Sequence, residues 1–565
     1  MNTNKIIRLL IRQIFLLLLF INHIKSFNLD VANYIRHEGP DESMFGFSVA
    51  LHQEQQRSWV IVGAPKADTS QFQQGVRNGG AVFRCDISDD NRCQIIHFDS
   101  NVYFNQSGNE NVYQLNNQES LLCDSMKTLQ RSVMLNIRNF TKLNYVNKWK
   151  RMMNDNDCCF IYSAYFDPRL QVTVKYFNKL KDMSDILAIG TIRIIGAMDW
   201  WMPKSNFQCH FIFSNGQIKI TKVLEVSQMH EPINGNYPGF FIICPVVFLS
   251  THDEIKLPQY IRIANKNYNS HLEDFIGISY PSTANRNNDE NSIAICPGPA
   301  QNHFSNALRI AEFVEIYKIL GISKFYFYNM SISDDVDKIF RYYASEGIAE
   351  ILQWNIDHVL RMDEKIIHYY GIMATLNDCF YRATVIDNFK YVLIADFDEI
   401  IHPLHTHDQL TDFISAYDKS SYHSLLFSNF FVFADFPADF SNIPKNAINK
   451  YLYTQAQVIK MKHSTGDFKW FRVRTKFIAK RDFVIEVGNH YVWIALSGTK
   501  EFYIDKKDAV IFHYRDNFIA GHCDKEISKD FSMRKYGDQL WSKVDEVCGK
   551  VFKVGLCPRF DQNKI

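Results

Sequence analysis

The chain has 565 residues, too many for one ordinary hydrophobic core, so two or three domains are expected. Hydrophobic residues make up 46% and charged residues 22%, which excludes a disordered chain. The formal net charge is +1 and no segment carries a long basic run, so there is no electrostatic footprint for nucleic acid.

At the start, Lys5, Arg8 and Arg12 precede the apolar run IFLLLLFI, residues 14 to 21, and the small residue Ser26. This is the layout of a secretory signal peptide over residues 1–26, with a signal anchor and membrane association through the same segment as the alternative. The charge-free run from Gln13 to Asn22 falls short of the roughly 20 apolar residues that span a bilayer. A second apolar cluster, GFFIICPVVFLS at 239 to 250, contains Pro245 and reads as a core strand. Twelve cysteines and sequons at Asn105, Asn139 and Asn329 fit a chain that enters the secretory lumen. Cys85 and Cys93 are spaced to close a hairpin-sized loop, whereas adjacent Cys158 and Cys159 would each need a different partner.

Residues 27–100 alternate short strand runs (FSVALH, SWVIVGAP, GAVFRCD) with Gly, Asn and Asp turns. FNLD at 27 to 30, FGFSVAL at 45 to 51, VIVGAPKAD at 60 to 68 and GGAVFRCDI at 79 to 87 resemble the first blade of an integrin alpha-subunit propeller. No second Phe-Gly…Gly-Ala-Pro repeat follows, and one blade cannot close a propeller. The segment therefore packs on the rest of the chain, stays partly unfolded, or reflects a joined gene model, the last being the expectation. Residues 101–154, rich in Asn and Gln, read as a polar linker with a helical pattern near 119 to 136.

From about 155 the character changes to mixed strand and helix, with strand runs CFIYSAYF, IRIIGAM, CHFIF and FFIICPVVFL. A helix is predicted over 304 to 321, where Leu308, Ala311, Phe313, Ile316 and Leu320 share a face and Gly321 suits a C-terminal cap. Then come a strand KFYFYN at 324 to 329, a helix ended by Gly347, a strand IAEILQW, a helix over 368 to 387 and a strand KYVLIA. This alternation predicts an α/β fold with a mostly parallel sheet, on which ligands sit beyond the carboxyl ends of the strands.

KYVLIA runs into Asp396, Asp398 and Glu399, which stand at such an end. A solvated turn or helix cap is the plain alternative. Hard oxygen ligands suit Mn2+ or Mg2+, ions that keep open positions for substrate phosphates, so a diphosphate sugar donor could bridge the metal. A phosphoryl-transfer enzyme of the haloacid dehalogenase type also uses strand-Asp-x-Asp. Its pattern has Thr or Val two residues after the second Asp, where Ile400 stands here.

YSAYFDPR (162 to 169), ICPGPAQN (295 to 302), EFVEIYKILGISKFYFYN (312 to 329), LNDCFYR (376 to 382), KYVLIADFDEIIHP (390 to 403) and VIFHYRD (510 to 516) together resemble glycosyltransferase family 92. The resemblance implies a GT-A type nucleotide-sugar-binding domain over 155–557, a divalent metal, and transfer of a hexose onto a glycan acceptor in the Golgi or elsewhere in the secretory pathway. The hexose it implies is galactose from UDP-galactose. Carried onto this chain, Asp396 and Asp398 hold the metal and diphosphate, Glu399 supports them, and His513 or His490 completes the coordination unless it is a core histidine. Arg515 pairs with the diphosphate or forms a structural salt bridge. Asn377 and Asp378 shape the donor pocket or merely pack a helix. An inverting transfer also needs a carboxylate base, for which Asp467, beside Trp470 and Phe471, is the candidate. An adhesion or binding module without catalysis would require further blades with Asp-x-Asp-x-Asp calcium loops, which this sequence does not contain.

Overall fold

The structure is a computed structural model. It describes residues 48–54, 57–64, 81–86, 93–95, 149–152, 159–176, 186–198, 207–230, 238–251, 254–265, 275–281, 291–356, 368–404, 409–433, 474–515 and 532–558. The signal segment 1–26, the helical pattern at 119 to 136, Asn105, Asn139 and Asp467 with its neighbours Trp470 and Phe471 lie outside these residues. The chain separates into two compact units, Met1–Leu115 and Asn116–Ile565.

The first unit holds one antiparallel sheet of Ser48–Glu54, Arg57–Ala64, Ala81–Asp86 and Cys93–Ile95, in that order. Cys85 and Cys93 are direct cross-strand neighbours and form a disulfide. Its first three strands are those expected from the alternating runs.

In the second unit, Lys150–Met152 pairs with the long strand Cys159–Asp167, and Trp149 packs on Tyr162 and Trp354 with ring centroids 5.3 and 4.8 Å away. The domain boundary expected at 155 is therefore too late: a start there would remove a strand and a core indole. These strands belong to a nine-stranded sheet running from Lys150 to Ser279 whose pairs are antiparallel, except that Ile276–Ser279 lies parallel to Cys159–Asp167. The run GFFIICPVV forms Gly239–Val247, buried at every position, as a strand covered on both faces must be. Cys244 in it is bonded to Cys209.

The expected parallel sheet begins only at Ile293. Numbered from there, the strands are β1 Ile293–Cys296, β2 Ile322–Asn329, β3 Ala349–Gln353, β4 Tyr391–Ile394, β5 Glu399–Pro403, β6 Tyr422–Phe427, β7 Asn429–Phe433, β8 Lys476–Lys480, β9 Val484–Val487, β10 Val492–Ala495, β11 Lys500–Tyr503 and β12 Ala509–Arg515. The main sheet has the order β3-β2-β1-β4-β8-β6-β11, parallel through its first four strands, with β8 antiparallel between β4 and β6. A smaller sheet, β5-β12-β7, stands beside the end of β4, and β9 and β10 form a hairpin.

Helices α1 Ala307–Ile319 and α2 Asp334–Ser345 follow β1 and β2. Ser333 caps α2 by accepting from the Val336 N–H, and Gly321 and Gly347 end the two helices at φ +93° and +76°. α1 is buried on more than the one face expected, Glu312 and Glu315 included, because α4, Gly537–Val551, and α2 also pack on it. The helix expected over 368 to 387 is three pieces: a short turn His368–Gly371, α3 Ile372–Tyr381 and a π-helical turn Arg382–Ile386. α3 is buried along its whole length, sharing a core with both large sheets, and Cys379 on it is bonded to Cys296 at the end of β1.

Candidate active site

Strand order reverses between β1 and β4: the chain builds outward from β1 to β3, then returns to place β4 on the other side of β1. At such a point the loops leaving two neighbouring parallel strands diverge and open a crevice. The loop after β1, with Gly298, Pro299, Ala300 and Gln301, and the loop after β4, with Asp396, Phe397 and Asp398, line one cavity of about 670 Å³. They nearly touch, because a Cβ on Gly298 would lie 3.2 Å from Asp396 Oδ1. A larger residue there would push on the carboxylate.

The acidic turn is held by its own backbone. Glu399 Oε2 accepts the Asp396 N–H at 2.9 Å, and the Glu399 N–H donates to the Asp396 carbonyl at 3.1 Å. Glu399 is 1% exposed. It supports the turn, and it starts β5, where the antiparallel register sets it opposite His513 on β12. His513 Nδ1 consequently lies 3.3 Å from Glu399 Oε1, and its Nε2 lies 3.2 Å from Asp398 Oδ2. Asp398 is further fixed by its carbonyl, which accepts from the Tyr514 N–H at 2.7 Å.

Lys476, which the sequence reading missed, stands on the other side. It begins β8, whose Phe477 pairs with Ile394 at the end of β4, so its side chain reaches beneath the turn. Its Nζ is fully buried and lies 2.8 Å from Asp396 Oδ2, 3.3 Å from Glu399 Oε2 and 2.7 Å from Asn489 Oδ1. Burial alone would lower its pKa, but the carboxylates of Asp396 and Glu399 overcome that and hold the ammonium well above its ordinary value. Burial also raises Glu399 to about 6, against the pull of Lys476. His490, in the cavity wall, is lowered to about 4 by burial and then by the nearby Lys476 charge, so it is neutral near pH 7. Arg309, Arg474 and the aromatic Tyr491 and Trp493 line the same cavity.

Five of the expected site residues thus meet: Asp396, Asp398, Glu399, His490 and His513. Asn377 and Asp378 do not. Both are fully buried on α3, away from the cavity wall. Asn377 makes a two-way bond to the Val487 backbone, accepting its N–H at 3.0 Å and donating to its carbonyl at 2.9 Å. Asp378 accepts from Ser163 Oγ, from Tyr165 Oη at 2.6 Å and from Tyr328 Oη at 2.5 Å, with Arg382 at 3.5 Å. With its donors supplied by the protein, it is a clamp between the two large sheets. The motif YSAYFDPR serves the same seam, since Arg169 pairs with Asp167 at 2.7 Å and donates to the Arg481 and Val484 carbonyls. Arg515 ends β12 opposite Phe433.

The glycosyltransferase family 92 model matches residues 291–552, which span β1 to α4. Among curated proteins, Beta-1,4-galactosyltransferase galt-1 of Caenorhabditis elegans is 25% identical over 264 residues, covering 46% of this chain and 55% of that protein. Integrin alpha-PS2 of Drosophila melanogaster is 42% identical over 92 residues, covering 15% of this chain and 6% of that protein. The chain therefore spans about half of the first relative and a small part of the second. A solved structure titled "Crystal Structure of a Mycobacterial Protein" aligns with a TM-score of 0.17 at 13% identity, covering 25% of this chain and 41% of that one, and carries no argument about the fold.

Proposed function

Taking residues 291–552 as a glycosyltransferase family 92 domain, we propose that this chain transfers a hexose, galactose from UDP-galactose, onto a glycan acceptor in the secretory pathway, with a divalent metal and inversion at the anomeric carbon. The observation that carries the reading is the convergence of Asp398 Oδ2 and His513 Nε2, 3.2 Å apart, in a cavity at the switch point of a parallel sheet. The parallel order β3-β2-β1-β4, with the acidic turn after β4, supports a GT-A type fold.

The Asp398 carboxylate is the kind of hard oxygen donor that Mn2+ or Mg2+ takes, and His513, 3.2 Å from it, would serve Mn2+ better than Mg2+. Among the described residues no third His, Cys, Asp or Glu completes such a set, so further ligands would come from the donor. When bound, the metal offsets the charge that grows on the leaving diphosphate. Arg309 and Arg474 in the cavity wall favour the same charge. Glu399 and Lys476 keep the turn in place. An acceptor hydroxyl oxygen then forms its bond to the anomeric carbon as the bond to the diphosphate oxygen breaks, and its proton passes to a carboxylate, for which Asp467 is our candidate.

A donor-hydrolysis screen over UDP-, GDP- and CMP-sugars, with and without manganese, tests the reading. Release of UDP from UDP-galactose, dependent on the metal and lost in Asp398→Asn, is expected. Indifference to both would overturn it.

A further inference from the structure

Resting on the reading of this cavity as a glycosyl-transfer site, we propose that the indole of Trp493 is the platform on which a pyranose ring of the acceptor stacks, and that His230, from the sheet outside residues 291–552, is its positioning residue. Trp493 stands on β10 and lines the cavity beside Tyr491, whose ring centroid is 4.7 Å away. His230, two residues past the strand Glu225–Gln228, stacks on the indole with centroids 5.2 Å apart and planes 18° from parallel. That imidazole is itself held by Glu486 on β9, a carboxylate 1% exposed that accepts the His230 backbone N–H at 2.6 Å and lies 3.1 Å from Nδ1.

The third support is Gly488. A Cβ there would lie 2.6 Å from Cδ1 and 2.7 Å from Nε1 of Trp493, so only a glycine lets this edge of the indole sit against the turn. The buried Nε1–H finds no acceptor among the described residues. A donor left so costs free energy, and its burial means that what Trp493 offers the cavity is carbon alone. The face of such a ring attracts C–H groups, whose partial positive charge meets its negative π surface, and a pyranose carries such groups on one face with its hydroxyls around the edge. Asn489 and His490, in the same wall, are placed for those hydroxyls.

The position of the platform assigns it to the acceptor and not to the nucleobase. In the order β1-β4-β8 the loop after β1 lies on one side of the acidic turn and Lys476 on the other, and Asn489, in the turn between β9 and β10, lies 2.7 Å from Lys476. A nucleotide belongs over the ends of the parallel strands on the β1 side. Trp493 stands on the other.

Saturation-transfer NMR on the full chain tests this, with the methyl glycosides of galactose, glucose, N-acetylglucosamine, fucose and mannose as probes. The donor site is filled with UDP-2-deoxy-2-fluorogalactose, whose uracil protons report on that site separately. At least one glycoside is expected to receive saturation on the C–H protons of one ring face. Trp493→Ala should weaken its binding about 10-fold, the size of one well-seated ring contact, and His230→Ala about 3-fold, while His230→Phe, which keeps the stack, restores it. The uracil signal should persist in each folded variant. Glycoside contact that survives Trp493→Ala in full overturns the proposal, and so does selective loss of the uracil signal in that variant, which would make the indole a base platform. Equal glycoside affinity in wild type and His230→Ala removes His230 from the site. No contact with any glycoside in wild type also overturns the proposal, a result that stands even if Trp493→Ala does not fold. Glycoside contact through Trp493 with no uracil signal in wild type would instead sink the donor reading and leave the platform standing.

Discussion

Two acidic stations sit within this domain and have opposite fates. Asp378 on α3 is fully buried and surrounded by a surplus of donors: three hydroxyls and a guanidinium. Asp396 and Asp398 after β4 keep about a third of their side-chain surface open, at 34% and 29%, and face the cavity, with the Lys476 ammonium 2.8 Å from the first and the His513 imidazole 3.2 Å from the second. A carboxylate whose lone pairs are all filled by its own protein is a fastening. One that keeps part of its surface open in a cavity can still meet something that binds there.

The largest effect expected from this contrast is on folding. Asp378→Ala leaves three buried hydroxyls without that acceptor and removes one of the two carboxylates at Arg382, which keeps Glu350 at 3.1 Å, and should cost about 3–5 kcal/mol of stability, as the loss of one member of a buried network does. Urea unfolding measures it. Turnover per folded molecule should change little, and a selective loss of turnover at unchanged stability would return Asp378 to the donor pocket.

Next, Asp398→Asn should shift the urea midpoint only slightly, since its pair with His513 at 3.2 Å is part-exposed, and cut metal-dependent transfer at least ~100-fold, because a charge at the proposed metal position is lost. Equal turnover in the purified variant would erase the distinction between the two stations.

A smaller effect is expected from acid. His490 is held at about 4, below its ordinary 6.5, so between these values the unfolded chain binds more protons and stability falls as pH drops through that window. Glu399, raised to about 6 from 4.5, works in the opposite sense and stabilises the fold as pH falls. Wild type should therefore show a shallow slope. His490→Gln should lose about 1–2 kcal/mol less than wild type between pH 6.5 and 4, allowing for its partial exposure. Identical pH-stability curves for the two proteins would show that burial, with the Lys476 charge behind it, does not hold His490 below its ordinary value.

The smallest effect is none at all. Asn329 ends β2, and its bridge partner Ala300 lines the cavity, so this sequon should carry no glycan. Mass spectrometry after glycosidase treatment in heavy-oxygen water would reveal a label at Asn329 if the cavity does not border this strand.

The acidic turn was legible because it is local: an apolar run, two aspartates and a glutamate within nine residues of one strand end, YVLIADFDE. His513 was half legible, named with His490 as alternatives, since only the pairing of β5 with β12 decides which ring nitrogen meets Asp398. Lys476 was not, because its partners lie some eighty positions away, |i−j| = 80 for Asp396, and KFIAK reads as an ordinary strand. Its one signal was a lysine at each end of that strand, Lys476 and Lys480, four positions apart and so on one face, where both turn out to be buried against carboxylates. Asn377 and Asp378 misled because an acid beside a site strand in sequence says nothing of the hydroxyls that another sheet brings to it. The first sheet, with Ser163 and Tyr165, supplies two of them.

The bond between Cys296 and Cys379 closes a loop of sequence separation 83 that contains β2, β3, α1 and α2. One wall of the cavity, from Gly298 to Ile372, is built inside that loop, whereas Arg474, Asn489, Trp493 and His513 lie outside it. In mechanical terms the cavity has a riveted jaw and an unriveted one, with the acidic turn at the hinge line between them. Opening for product release would then be borne by the hairpin of β9 and β10, and amide exchange that quickens there in the absence of nucleotide, while β1, β2 and the interior strand β8 stay slow, is the trace such a one-sided jaw leaves.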